Sequence, residues 1–179
     1  MLTQEELIQK ALEIGFSHAG PASVDTLKAM PEVRDMCAVD KCHAYNKTWT
    51  CPPGCGSLEE CEARMRSYHF GVLCQTTAEL EDSMDYEAMM EGEAENKEHS
   101  AAFIEFLSEQ FEEVLPLCSA GCDLCKTCTY PDAPCRFPNK ARSAMEGYGL
   151  LVSKVCQDNG IKYYYGPNTV TYTALFLVK

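Results

Sequence analysis

Between positions 122 and 135 the chain reads C-D-L-C-K-T-C-T-Y-P-D-A-P-C, three cysteines at two-residue spacing and a fourth after six intervening residues. Thiolates at C-x2-C-x2-C spacing converge on one point of a tight loop, the way a chain grips a soft metal or an iron–sulfur cluster. Cys122, Cys125 and Cys128 reach three corners of such a centre, and Cys135 supplies the fourth. A second group, Cys37, Cys42, Cys51, Cys55 and Cys61, lies in an irregular stretch upstream. The chain is therefore expected to be built around two metal centres.

The upstream group is less regular. Cys37-x4-Cys42-x8-Cys51 provides three ligands, with Pro52-Pro53 stiffening the chain just beyond. Cys55 and Cys61 compete for the fourth place, Cys55 being nearer in the loop and Cys61 sitting on a short helix that can point back. His43 is a further claimant. With only three cysteines, one iron would stand open to substrate. With Cys55 or Cys61 filling the place, which is the expectation here, the centre is closed and suits electron transfer.

Iron–sulfur chemistry, with two [4Fe–4S] clusters, is the expected use of these thiolates, and zinc is the alternative. Bacterial ferredoxins carry C-x2-C-x2-C-x3-C-P. Here the last gap is longer and Pro134 precedes the cysteine. Four thiolates also suit tetrahedral zinc, but structural zinc sites more often pair two separate C-x2-C knuckles. Arg136, next to a ligand, is a candidate to balance cluster charge or hydrogen-bond a sulfur. A surface ion pair is its other reading. Cys74 in an apolar strand and Cys156 on a buried helix face read as core, and Cys118 as a spare ligand. Tyr45 and Trp49 are expected to shield the upstream centre from water. Glu146 reads as structural, with acid–base work beside the metal as the other option.

Composition narrows the setting. At 179 residues the chain suits a single domain over 1–179. Its twelve cysteines would be a disulfide framework in a small secreted protein. The first residues argue against secretion: Thr3 and Glu6 form a capping-box pattern before an amphipathic helix, not a signal peptide. A reduced, cytoplasmic setting without membrane attachment is the expectation. A formal charge of −12 argues against nucleic acid as a partner. An acidic surface either docks a basic redox partner protein or simply stays solvated. The oligomeric state is left open. Dinucleotide fingerprints, Walker loops and zincin helices are all missing from the sequence, so no reaction is named.

The patterning predicts an α+β fold, a small mostly antiparallel sheet with helices and two cysteine-rich metal-binding loops. Helices are expected over 3–14 and 57–67, strands over 16–21 and 69–77. An acidic helical region spans 79–115, its apolar stripe of Ala102, Phe103, Phe106, Leu107, Phe111, Val114 and Leu115 ended by Pro116. Asn139 is expected to cap a helix through Glu146, followed by a helix over 150–158 stopped at Gly160. Residues 161–165 and 169–178 read as a terminal hairpin.

The two loops also resemble a known family. Cys37 through Tyr45 and Trp49 to Cys51-Pro52-Pro53 is similar to the first motif of the predicted metal-binding proteins of domain of unknown function 2284. Gly121-Cys122 through Cys125, Cys128, Pro134-Cys135-Arg136 and Pro138 to Ser143, Met145-Glu146 and Gly149 resembles the second. The resemblance covers most of the chain. It implies metal binding through Cys37, Cys42, Cys51, Cys122, Cys125, Cys128 and Cys135, and no particular reaction. Asn46 stands where a glycine after the tyrosine is common.

Overall fold

A computed structural model describes residues 2–179. The first helix, α1 (Gln4–Ile14), starts where expected, with Thr3 and Glu6 closing a reciprocal capping box and Gly15 ending it at φ 128°. Strand β1 (His18–Ala22) follows, then α2 (Pro31–Ala38), α3 (Leu58–Arg66) and β2 (Phe70–Glu79). Ser57 and Glu60 form a second capping box at the start of α3. The long helix α4 (Tyr86–Gln110) precedes β3 (Val114–Cys118). After the second cysteine loop come the two-residue β4 (Ser143–Ala144), a 3-10 turn over Glu146–Tyr148, α5 (Val152–Asp158) and β5 (Thr169–Val178).

The strands form one sheet in the order β1-β2-β5-β3-β4, antiparallel except for the β3–β4 pair. The α+β expectation holds. Alternation along the strands splits the apolar side chains between two faces. Val72, Cys74, Ala174, Phe176 and Val178 pack against Leu7, Ala11, Phe103 and Leu107 of α1 and α4. Leu73, Leu115, Leu117, Leu175 and Leu177 pack on the other face with Met65, Tyr148 and Val155. No described helix is long and apolar enough to cross a membrane.

Three elements differ from the sequence reading. The apolar stripe does not continue as helix to Pro116: α4 stops at Gln110, Phe111 is extended, and Val114–Cys118 is a strand. Pro116 is tolerated there for a geometric reason. Glu113 and Lys179 exchange both backbone hydrogen bonds, so residues 115 and 117 bond to β5 and position 116 faces the other way. On that side β4 begins only opposite Leu117, so the missing N–H breaks no ladder bond.

The helix expected from Asn139 to Glu146 is instead irregular chain, β4 and the 3-10 turn. The terminal hairpin is absent too, because residues 161–165 do not join the sheet. Buried Gln75 claims them instead, donating to the Lys162 carbonyl at 2.8 Å and accepting from the Tyr165 hydroxyl at 2.7 Å. β5 therefore pairs with β2 and β3, partners far away in sequence.

Candidate metal centre

Both cysteine loops open from the same end of the fold. Cys37 lies in the last turn of α2, and residues beyond it wind back through left-handed turns at Asp40, His43 and Asn46. Asn46 sits at φ 55°, which accounts for asparagine serving where a glycine is common. The Asp40 carboxylate accepts from the Tyr45 amide at 2.9 Å, and the Pro52 carbonyl from the Asn46 amide at 2.8 Å. Gly54 has no alternative, since a Cβ there would lie 2.2 Å from the Thr48 carbonyl oxygen.

The downstream loop leaves β3 at Cys118 and returns to the sheet at β4. Its base is clamped by a hydrogen-bonded ion pair between Asp123 and the buried Arg142, with Lys97 3.6 Å from the same carboxylate. Inside the loop the Ala133 amide donates to Thr129 O at 3.0 Å, and Arg136 donates to Thr127 O at 2.9 Å. Arg136 thus braces the loop through a backbone carbonyl.

The loops are joined to each other. Trp49 donates from Nε1 to the Ala133 carbonyl at 2.9 Å and meets Tyr130 edge-on at 4.9 Å. The Tyr130 hydroxyl reaches Asn46 Oδ1 at 3.1 Å. Two cavities lie along this seam. Cys122, Cys125, Cys128 and Cys135 line one of about 260 Å³, with Trp49, Arg136 and Phe137 in its wall. Cys37, Cys42 and Cys51 line the other, of about 700 Å³, with Tyr45, Glu146 and again Cys122. Cys122 stands in both linings.

Burial raises the Cys37 thiol, and the charge of Glu146 adds to the effect. Burial also raises Cys51 and Glu146. These groups resist ionising until a cation arrives, so metal binding here would release protons. Among the described residues no three His, Cys, Asp or Glu side chains are already gathered to hold a metal ion. The cysteines surround cavities instead.

Cys55 and Cys61 take a different place. Both pack with the core cluster that includes Leu73 and Tyr148, Cys61 fully buried and Cys55 at its edge. The neighbouring thiol and the Arg34 and Arg64 guanidiniums hold Cys61 below the ordinary thiol range, while the neighbouring Cys61 and burial push Cys55 up. Neither lines the cavity that holds Cys37, Cys42 and Cys51. His43 is exposed. Cys118, considered a spare ligand, is buried at the end of β3 on the α4 side, as Cys74 is in β2. Cys156 is buried in α5.

The motif order and the paired loops agree with the family comparison, whose model, described as a predicted metal-binding protein, matches residues 22–178. The chain belongs to the family of domain of unknown function 2284. No curated protein and no solved structure matches it. Within the matched span, Gly121, Cys122 and Glu146 join Cys37, Cys42 and Cys51 in the upstream lining, and Trp49 joins Cys122, Cys125, Cys128 and Cys135 in the downstream one. Sequence reasoning did not find Arg34, although it lies three residues before Cys37 on α2, a spacing that places both on one helix face. Nor did it find the Asp123–Arg142 clamp, whose partners are 19 residues apart with no local pattern.

Proposed function

We propose that this chain is an iron–sulfur protein holding two [4Fe–4S] clusters, one in each cysteine cavity, and that it passes electrons to a partner protein. The observation that carries this reading is the downstream cavity. Four thiols at cluster spacing line a single space of about 260 Å³. A tetrahedral zinc ion draws its four sulfurs to about 2.3 Å and needs far less room. Four soft thiol donors, with no carboxylate or imidazole in that wall, fit iron–sulfur chemistry.

Cys122, Cys125, Cys128 and Cys135 would hold one cluster, and Cys37, Cys42 and Cys51 the other. Glu146 and Cys122 face the remaining upstream position. A bound cluster would supply one-electron redox chemistry. Around the two cavities, the half-buried Trp49 and Tyr45 cover part of the thiol-lined walls, and Arg136 places a cation beside the thiolates. The charge of −12 favours a basic redox partner in a reducing, cytoplasmic setting.

Anaerobic purification followed by iron, sulfide and zinc analysis tests the proposal. A brown protein with about eight irons and eight sulfides per chain is expected. A colourless protein containing stoichiometric zinc would replace it with a zinc-binding interaction module.

A further inference from the structure

Behind the upstream cavity lie two cysteines, Cys55 and Cys61, that line neither cavity. Cys55 sits just before α3, and Cys61 occupies its first turn with its amide bonded to Ser57 O at 3.0 Å. The intervening turn folds the Cys61 side chain back onto Cys55. Cys61 Sγ is 3.5 Å from the Cys55 carbonyl oxygen, and the Cys55 thiol lies 3.6 Å from the Gly147 carbonyl oxygen. Arg34 reaches into the same spot from α2. Its Nη2 is 3.1 Å from Cys61 Sγ and its Nη1 donates to Gly56 O at 2.9 Å, while its buried Nε has no partner. A guanidinium held against a buried sulfur favours the anionic form of that sulfur, the feature that separates reactive cysteines from inert core ones. Cys61 has 1% exposure, whereas Cys55 keeps a partly open side.

We infer that Cys55 and Cys61 form a redox-active dithiol, positioned by Arg34, that closes to a disulfide by exchange with a small external disulfide. Cys55, the accessible member, attacks one sulfur of the external disulfide as its proton passes to the Cys61 sulfur, which Arg34 favours as the anion. The external S–S bond breaks and one small thiolate leaves. Cys61 then gives that proton to the departed thiolate and attacks the Cys55 sulfur, forming the internal S–S bond and expelling the second small thiolate, which takes a proton from water. The protein loses two electrons and one proton, and one external disulfide becomes two thiols. This chemistry is separate from the clusters, although the Cys55 amide bonds to Cys51 O at 3.0 Å and so ties the pair to the metal loop.

The test equilibrates the full, anaerobically purified chain in buffers of reduced and oxidised glutathione. Samples are quenched with acid, alkylated and mapped by mass spectrometry. A single peptide pair linked through Cys55 and Cys61, titrating as a two-electron couple, is the expected result. Arg34→Met should slow its formation about tenfold, and Cys55→Ser should abolish the link while leaving iron content unchanged. Recovery of both cysteines as free thiols at every glutathione ratio would overturn the inference. So would a link from either to Cys51, or loss of one centre's iron in Cys55→Ser or Cys61→Ala, since those outcomes make them ligands or loop thiols. The peptide map reads the dithiol whether or not metal is bound, and iron analysis alone decides the cluster proposal.

Discussion

Cys125 and Cys156 carry the same thiol into opposite surroundings. Cys125 lines a cavity with three other cysteines, half-buried and free of any backbone duty. Replacing it by serine substitutes a hard, weakly acidic oxygen for a soft thiolate. Cys125→Ser should therefore remove about one centre's metal with little loss of fold, and unchanged metal content would refute its role. Cys156 packs beside Gln75, 3.7 Å from its amide nitrogen, and burial pushes it up to about 11. Cys156→Ser should keep the full metal load and cost about 1–2 kcal/mol of stability from burying a hydroxyl. Metal analysis and thermal melting together separate the two outcomes. Spacing alone distinguished these residues in the sequence, because ligand convergence is local and the chain shows it directly. The Cys55–Cys61 contact was less legible, since it depends on where α2 delivers Arg34.

At the level of elements, the legible features were again the local ones. The capping boxes Thr3–Glu6 and Ser57–Glu60 each bring two helix-end amides their acceptors within four residues, and both helices begin where those patterns sit. The terminal hairpin failed because β5 finds its partners in β2 and β3, and Gln75 takes residues 161–165 out of play. Helix α4 shows how a local rule reverses against a neighbour. Gly92 lies mid-helix, where alanine is ordinarily about 1 kcal/mol better. A Cβ there would stand 2.8 Å from the Ala78 Cβ on β2 and 3.2 Å from the Tyr172 ring. The strand cannot yield as a flexible side chain would. Gly92→Ala should thus destabilise by about 1–2 kcal/mol, measured by chemical denaturation, and a stabilised variant would show that α4 has room to move.

Across the whole molecule, the sheet and its helices form a frame that closes without the metal loops, and the loops hang from one end of it. Asp123 joins the two. Burial works to raise its carboxyl, but Arg142 and Lys97 prevail and hold it below the usual carboxylate range. A depressed carboxyl contributes stability above its unfolded pKa and loses it as pH falls through the folded value. Asp123→Asn should cost about 1 kcal/mol near neutrality, a modest figure because the carboxylate is half-exposed and screened. The gap between variant and natural melting temperatures should close below the ordinary carboxylate range, and a gap independent of pH would remove the ion pair from the account. Neither Asp123 nor the meeting of the loops was readable from spacing, because both depend on how β3 and β4 bring distant segments side by side. That meeting couples the two cavities. Cys122 is a party wall: were each cavity to hold metal, whichever filled first would fix its sulfur, and the second would fill against a boundary already set. On that reading Cys122→Ser should cost more metal than the single share lost on changing Cys37 or Cys125. Equal losses from all three changes would mean that the two cavities fill as strangers.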